Sequence, residues 1–117
     1  MTHPLAGPGI EVTTEQTAQA LTEGTAQVVD VREPYEREAG HIAGTRHIEL
    51  ERLASQAQTL DPERPVIFFC RVGSRSLMAA QAFRRAGFDA WSMAGGITAW
   101  DDEGRPLEPE DGHVADH

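Results

Sequence analysis

Short apolar runs, separated by polar segments rich in glycine and proline, divide the chain into alternating strands and helices. Residues 10–12 read as a first short strand. Thr13 and Gln16 stand at capping-box spacing, which predicts a helix running to about Glu23 with Gly24 as its stop. Residues 27–31 are valine-rich, as a buried parallel strand should be. Pro34 suits the first turn of a short helix opened by Glu33. Gly40 and Gly44 bracket a turn, residues 46–48 form a brief third strand, and residues 49–60 carry a helical segment. A proline-bounded loop then leads into the apolar run 66–70, the fourth strand. From Ser76 to Ala86 the period becomes helical, placing Met78, Ala79, Ala82, Phe83 and Ala86 on one face, with Gln81, Arg84 and Arg85 opposite. Gly87 ends that helix, residues 90–93 form a fifth strand, and a short helix spans about 97–102.

Strands alternating with helices predict an α/β fold with a parallel sheet, whose ligands sit at the carboxyl ends of its strands. The 117 residues suit one domain, placed at 10–105 between an N-terminal extension, 1–9, and an acidic, disordered tail, 106–117. No run approaches the eighteen or so apolar residues needed to cross a bilayer. The opening residues lack a basic and apolar leader pattern, and a lone cysteine suits a reducing compartment, so a cytoplasmic location is expected. The net charge of −9 is uneven, because residues 101–117 hold seven acids and one arginine. So acidic a chain is not expected to bind nucleic acid. All ten basic residues are arginine, which removes lysine Schiff-base chemistry.

The chemistry concentrates where the fourth strand meets the next helix. Cys70, the only cysteine, is followed by Arg71, Val72, Gly73, Ser74, Arg75 and Ser76. Two arginines and the positive end of a helix dipole favour a thiolate over a thiol. Gly73 permits a positive φ and a close backbone approach, so that loop amides can turn inward as an anion-binding nest. Ser74 and Ser76 add hydroxyl donors or caps. The plain alternative is a buried structural cysteine ending a core strand, but that leaves the two arginines and the glycine without a reason. Asp30 and Arg32 read as a structural ion pair between adjacent loops. His41 and His47 read as hydrogen-bonding residues of turns rather than members of a Cys–His dyad. Trp91 and Trp100 read as packing residues. Five scattered histidines and one cysteine give no metal-ligand spacing, and no cofactor is expected.

The segment Cys70-Arg71-Val72-Gly73-Ser74-Arg75-Ser76 resembles the active-site loop of the rhodanese sulfurtransferases in full. Three further segments are similar to that family in its own order: Val28 to Glu33, the Gly40-His41-Ile42-Ala43-Gly44 turn, and Gly95-Gly96 followed by Trp100. Thr45 and His47 are small departures from it. The resemblance implies a five-stranded rhodanese-like parallel sheet flanked by helices on both faces. It also implies transfer of sulfane sulfur from thiosulfate or a similar small anionic donor to cyanide or a thiol through a persulfide on Cys70, with residues 71–76 binding the substrate. Arg71 and Arg75 would hold the donor's anionic group. Three other readings use the same loop: a relay module passing the sulfur to a partner protein's thiol, a phosphatase or arsenate reductase, and an inactive scaffold. Phosphatase loops carry five residues between cysteine and arginine, whereas this one carries four, a nest better matched to one sulfur than to a tetrahedral phosphate.

Overall fold

The computed structural model describes residues 9–117, so residues 1–8 of the expected N-terminal extension lie outside the described residues. Five short strands, β1 (Glu11–Val12), β2 (Gln27–Asp30), β3 (Arg46–His47), β4 (Val66–Phe69) and β5 (Ala90–Met93), form one sheet in the order β1-β5-β4-β2-β3. Every neighbouring pair is parallel, as the alternation with helices requires. The helices are α1 (Thr14–Glu23), α2 (Pro34–Ala39), α3 (Leu53–Gln56), α4 (Ser74–Arg85) and α5 (Gly96–Asp102).

Because side chains alternate across a strand, the apolar runs feed two cores, one on each face of the sheet. Along β4, Ile67 and Phe69 join Val28, Trp91, Ile97 and Trp100 on one face. Val66, Phe68 and the following Cys70 join Val29, Leu53, Ala80 and Phe83 on the other. A central strand buried on both faces is the physical meaning of an uninterrupted Val-Ile-Phe-Phe run. It also fixes the cysteine, which leaves the carboxyl end of that central strand on the α3–α4 side.

Local signals act as their chemistry dictates. The Thr13 hydroxyl accepts the Gln16 amide at 3.0 Å, and the Gln16 side chain accepts the Thr13 amide at 2.8 Å, closing the capping box. Gly24 ends α1 in the left-handed conformation at φ 68°.

Three expectations are corrected. Residues 49–60 do not make one helix: α3 is a single turn between two 3-10 turns, Leu50–Arg52 and Ala57–Thr59. The Leu50 amide goes to Val31 O at 3.0 Å, and the Ser55 and Thr59 hydroxyls take up the carbonyls of Arg52 and Gln56. Side chains that bond the local backbone compete with a regular ladder. The buried face of α4 is Ser76, Ala79, Ala80 and Phe83, while Met78, Ala82 and Ala86 are exposed. A buried serine and two alanines, which let the helix approach the sheet closely, carry no apolar signal strong enough to set the phase. Finally, the segment after α5 is not a free tail. Pro106 O accepts the Trp100 indole N–H at 2.8 Å, Leu107 and Val114 pack on the core, and His41 and Glu108 exchange backbone hydrogen bonds of 2.9 and 2.7 Å. The His113 amide then bonds Ala39 O, close enough to Gly40 that a Cβ there would lie 2.5 Å from His113 O. Among the described residues no helix is long and apolar enough to cross a membrane.

Candidate functional site

The chain turns sharply after β4 because Gly73 takes φ 114°, a conformation L side chains rarely adopt. Helix α4 therefore starts at Ser74, two residues earlier than its apolar period suggests, and its first-turn amides face back toward the strand end. Cys70 has no solvent exposure. Its Sγ accepts the Gly73 amide at 3.1 Å and the Ser76 amide at 3.4 Å. The Ser76 hydroxyl lies 3.5 Å from the same sulfur and also donates to Gly73 O or shares a hydrogen with the Ser92 hydroxyl at 2.8 Å. The sulfur thus sits at the positive end of a twelve-residue helix with backbone donors aimed at it.

The floor of the loop comes from a second helix start. The amides of Ile97 and Thr98, in the first turn of α5, bond Cys70 O at 2.9 Å and Arg71 O at 3.0 Å. This contact is backbone on backbone. A Cβ at Gly96 would lie 2.4 Å from Arg71 O and 2.6 Å from Cys70 O, so only glycine fits. The Gly95-Gly96 pair thereby acquires a role its sequence alone did not specify: it lets α5 close up under the cysteine.

The two arginines separate. Arg75 makes a two-pronged ion pair with Glu36 of α2, at 2.7 and 3.0 Å, and the Glu36 carboxylate is wholly buried. Glu36 also accepts the Glu33 amide at 3.0 Å. Burial works to raise the pKa of Glu36, but hydrogen bonds from Arg75 and the Glu33 backbone, with the charge of Arg75, outweigh it and hold the carboxyl below its ordinary 4.5. The hydrogen bond to Glu36 raises Arg75 in turn, against burial. The structure places the Arg75 guanidinium on Glu36, where it ties α4 to α2. Glu36 was missed because nothing in the sequence pairs residues 39 apart on two helices. The one available signal was an acid in a first helical turn, which reads equally well as dipole compensation. Arg71 is different: it is partly exposed, and Nη2 is 3.4 Å from Asp116 Oδ1. Its enclosed Nε has no hydrogen-bond partner among the described residues.

Asp30 and Arg32 form the expected structural pair, both fully buried. Arg32 donates to the Asp30 carboxylate at 2.9 and 2.8 Å and to Gly40 O at 2.8 Å. Arg37 adds a contact to Asp30 at 3.3 Å. His41 Nδ1 lies 3.2 Å from Arg37 O with Nε2 3.8 Å from Glu108 Oε2, and His47 Nε2 lies 2.7 Å from Arg32 O, so the partners of both histidines lie away from the cysteine. Trp91 and Trp100 lie in the core. Glu33, Glu36 and His117 bring ligand-type atoms within 4.8 Å of one another, but Glu36 is held by Arg75. Val72 and Ser74 are exposed, and Val72 directs no polar group at the sulfur. A cavity of about 240 Å³ opens beside the first turn of α4, lined by Arg75, His117 and the glutamates 33, 49 and 51 among others.

Residues 13–103 match the family model described as Rhodanese-like domain. The chain is 38% identical over 86 residues to thiosulfate sulfurtransferase GlpE of Pseudomonas aeruginosa strain LESB58, covering 73% of this chain and 78% of that one. In structure it is similar to a rhodanese-related protein from Thermoplasma volcanium, with a TM-score of 0.78, 26% identity and coverage of 85% and 97%. It is also similar to a protein of unknown function, a possible tyrosine phosphatase, from Rhodopseudomonas palustris, with a TM-score of 0.73, 26% identity and coverage of 85% and 84%.

Proposed function

Since this chain belongs to the rhodanese-like domain family, we propose that it moves a sulfane sulfur from thiosulfate or a similar anionic donor to cyanide or a thiol, through a persulfide on Cys70. One observation carries the reading: the sole cysteine has its sulfur under two amides at the start of α4. The thiolate attacks the outer sulfur of thiosulfate. The sulfur–sulfur bond of the donor breaks, sulfite leaves with the bonding pair, and a new sulfur–sulfur bond leaves a negatively charged persulfide on Cys70. Cyanide attacks the outer sulfur, thiocyanate departs, and the Cys70 thiolate returns. The Gly73 and Ser76 amides serve the negative sulfur in each state, as oxyanion-hole donors serve a developing charge. Arg71 supplies charge-assisted hydrogen bonds to the donor's sulfonate oxygens. Arg75 keeps α4, and with it those amides, in place. The enzyme alternates between thiolate and persulfide forms in two half-reactions, so ping-pong kinetics follow.

Intact-mass measurement after thiosulfate treatment tests this directly. The protein should gain one sulfur, lose it to cyanide, and gain none as Cys70→Ala. No gain, with turnover of an aryl phosphate instead, would overturn the reading in favour of phosphoryl chemistry. Val72, half-exposed in the loop itself, favours a second form of the same chemistry in which a partner protein's thiol takes the sulfur. That form predicts a normal sulfur gain with slow release to cyanide and fast release to a protein thiol.

A further inference from the structure

The segment after α5 runs beyond the family match, which ends at residue 103, and its last residues reach the Cys70 loop. We propose that residues 113–117 are a strap over the site, in which the Asp116 carboxylate occupies the anion-binding edge of Arg71 and must leave before an anionic reagent reaches Cys70. The strap is firmly held at its base, where the Glu108 and His113 amides bond His41 O and Ala39 O at 2.7 and 2.9 Å. Val114 also packs on the core, and beyond it the contacts weaken. The Tyr35 hydroxyl donates to Asp116 O at 3.1 Å, Asp116 Oδ1 stands 3.4 Å from Arg71 Nη2, and the Asp116 side chain is otherwise fully exposed. On its other side His117 Nε2 lies 3.2 Å from Glu33 Oε2 and forms one wall of the cavity beside Arg75.

Three features make this a closed but displaceable arrangement. Cys70 is wholly enclosed, so some segment must move for any reagent to meet the sulfur. The Arg71–Asp116 contact is single, long and exposed, the kind of ion pair that contributes little and exchanges readily. Arg71 also has an unspent Nε beside the occupied Nη2, so an anion with several oxygens can satisfy two donors where Asp116 satisfies one. The carboxylate is thus a weak competitor for the group that binds the donor. That the displacing anion is a sulfur donor rests on the function proposed above, but the closure itself does not.

Alkylation of the only thiol separates the two. Rates with iodoacetate, an anion, and iodoacetamide, its neutral analogue, are compared in the whole chain. Asp116→Asn should raise the iodoacetate-to-iodoacetamide rate ratio about two- to fivefold. Glu63→Gln, which removes the same charge in the loop before β4, at the opposite end of that strand from Cys70, should leave the ratio at its parent value. Tyr35→Phe, which frees the strap without changing charge, should raise both rates. An unchanged ratio in Asp116→Asn, an equal rise in Glu63→Gln, or unchanged rates in Tyr35→Phe would each overturn the strap. None of these readouts requires sulfur transfer, so the strap and the sulfurtransferase reading can fail independently.

Discussion

The two arginines of the cysteine loop look interchangeable in the sequence and are opposites in the structure. Arg75 meets a fully buried carboxylate through both prongs, at 2.7 and 3.0 Å, and is itself only 15% exposed. Arg71 meets a fully exposed carboxylate through one atom at 3.4 Å. A desolvated two-pronged pair is a structural joint, because removing one partner strands the other's charge in the interior. A single exposed pair exchanges partners at almost no cost, which suits the anion-binding role proposed for Arg71. One loop thus divides its positive charge between a buried joint and a partly exposed guanidinium, the one proposed above to meet the sulfur donor.

The largest effect should come from breaking the joint. Arg75→Ala leaves Glu36 buried and unpaired, and should lower unfolding free energy by roughly 3 kcal/mol in a denaturant titration. Arg71→Ala should leave stability nearly unchanged yet lower kcat/KM for thiosulfate roughly 10- to 100-fold, the size of a lost charge-assisted hydrogen bond. If the two variants behaved alike, the division of roles would collapse. Lysine sharpens it further. Arg71→Lys, which keeps the charge but loses one of the two donors, should lower kcat/KM for thiosulfate several-fold at unchanged stability, whereas Arg75→Lys loses the fork to a buried carboxylate and should cost about 1 kcal/mol.

The joint also carries a pH signature. Glu36 has a depressed pKa in the folded chain, so its contribution is fully present above its ordinary 4.5 and is lost as pH falls through the lower folded value. The stability gap between the parent chain and Glu36→Gln should therefore be flat near neutrality and close in that acidic range. A gap that persisted unchanged to low pH would contradict the ion pair. Arg75 is raised by the same contact, so its share is present wherever arginine is ordinarily charged and Glu36 is ionised. The smallest effect belongs to Asp116→Asn, which should change unfolding free energy by less than about 0.5 kcal/mol.

Local chemistry explains which parts were legible in advance. Caps and stops such as Thr13–Gln16 and Gly24 act within a few residues, and the four apolar residues of β4 state its burial directly. The geometry of the cysteine loop was legible for the same reason: its amide donors, its glycine and its cysteine are consecutive. What stayed hidden was everything that depends on distant partners. Glu36 matters only because β2, β4 and the helices after them bring α2 beside α4. The phase of α4 turns on a serine drawn inward by sulfur and by Ser92, and a count of apolar positions cannot see a buried hydroxyl. Acidity suggested that the last segment is free, whereas Leu107, Val114 and a few backbone hydrogen bonds decide otherwise.

The buried Ser76 hydroxyl has a consequence for how the site changes charge. It has one hydrogen and two lone pairs, and three partners within reach: the sulfur, Gly73 O and Ser92 Oγ. Facing a neutral S–H, the Ser76 oxygen can accept while its own hydrogen goes to Ser92 or Gly73. Facing a negative sulfur, the hydrogen swings toward it and Ser92 donates from behind. The alternation is a torsion about two C–O bonds. It reverses the polarity of the pocket wall while every backbone atom stays where β4, α4 and α5 have set it.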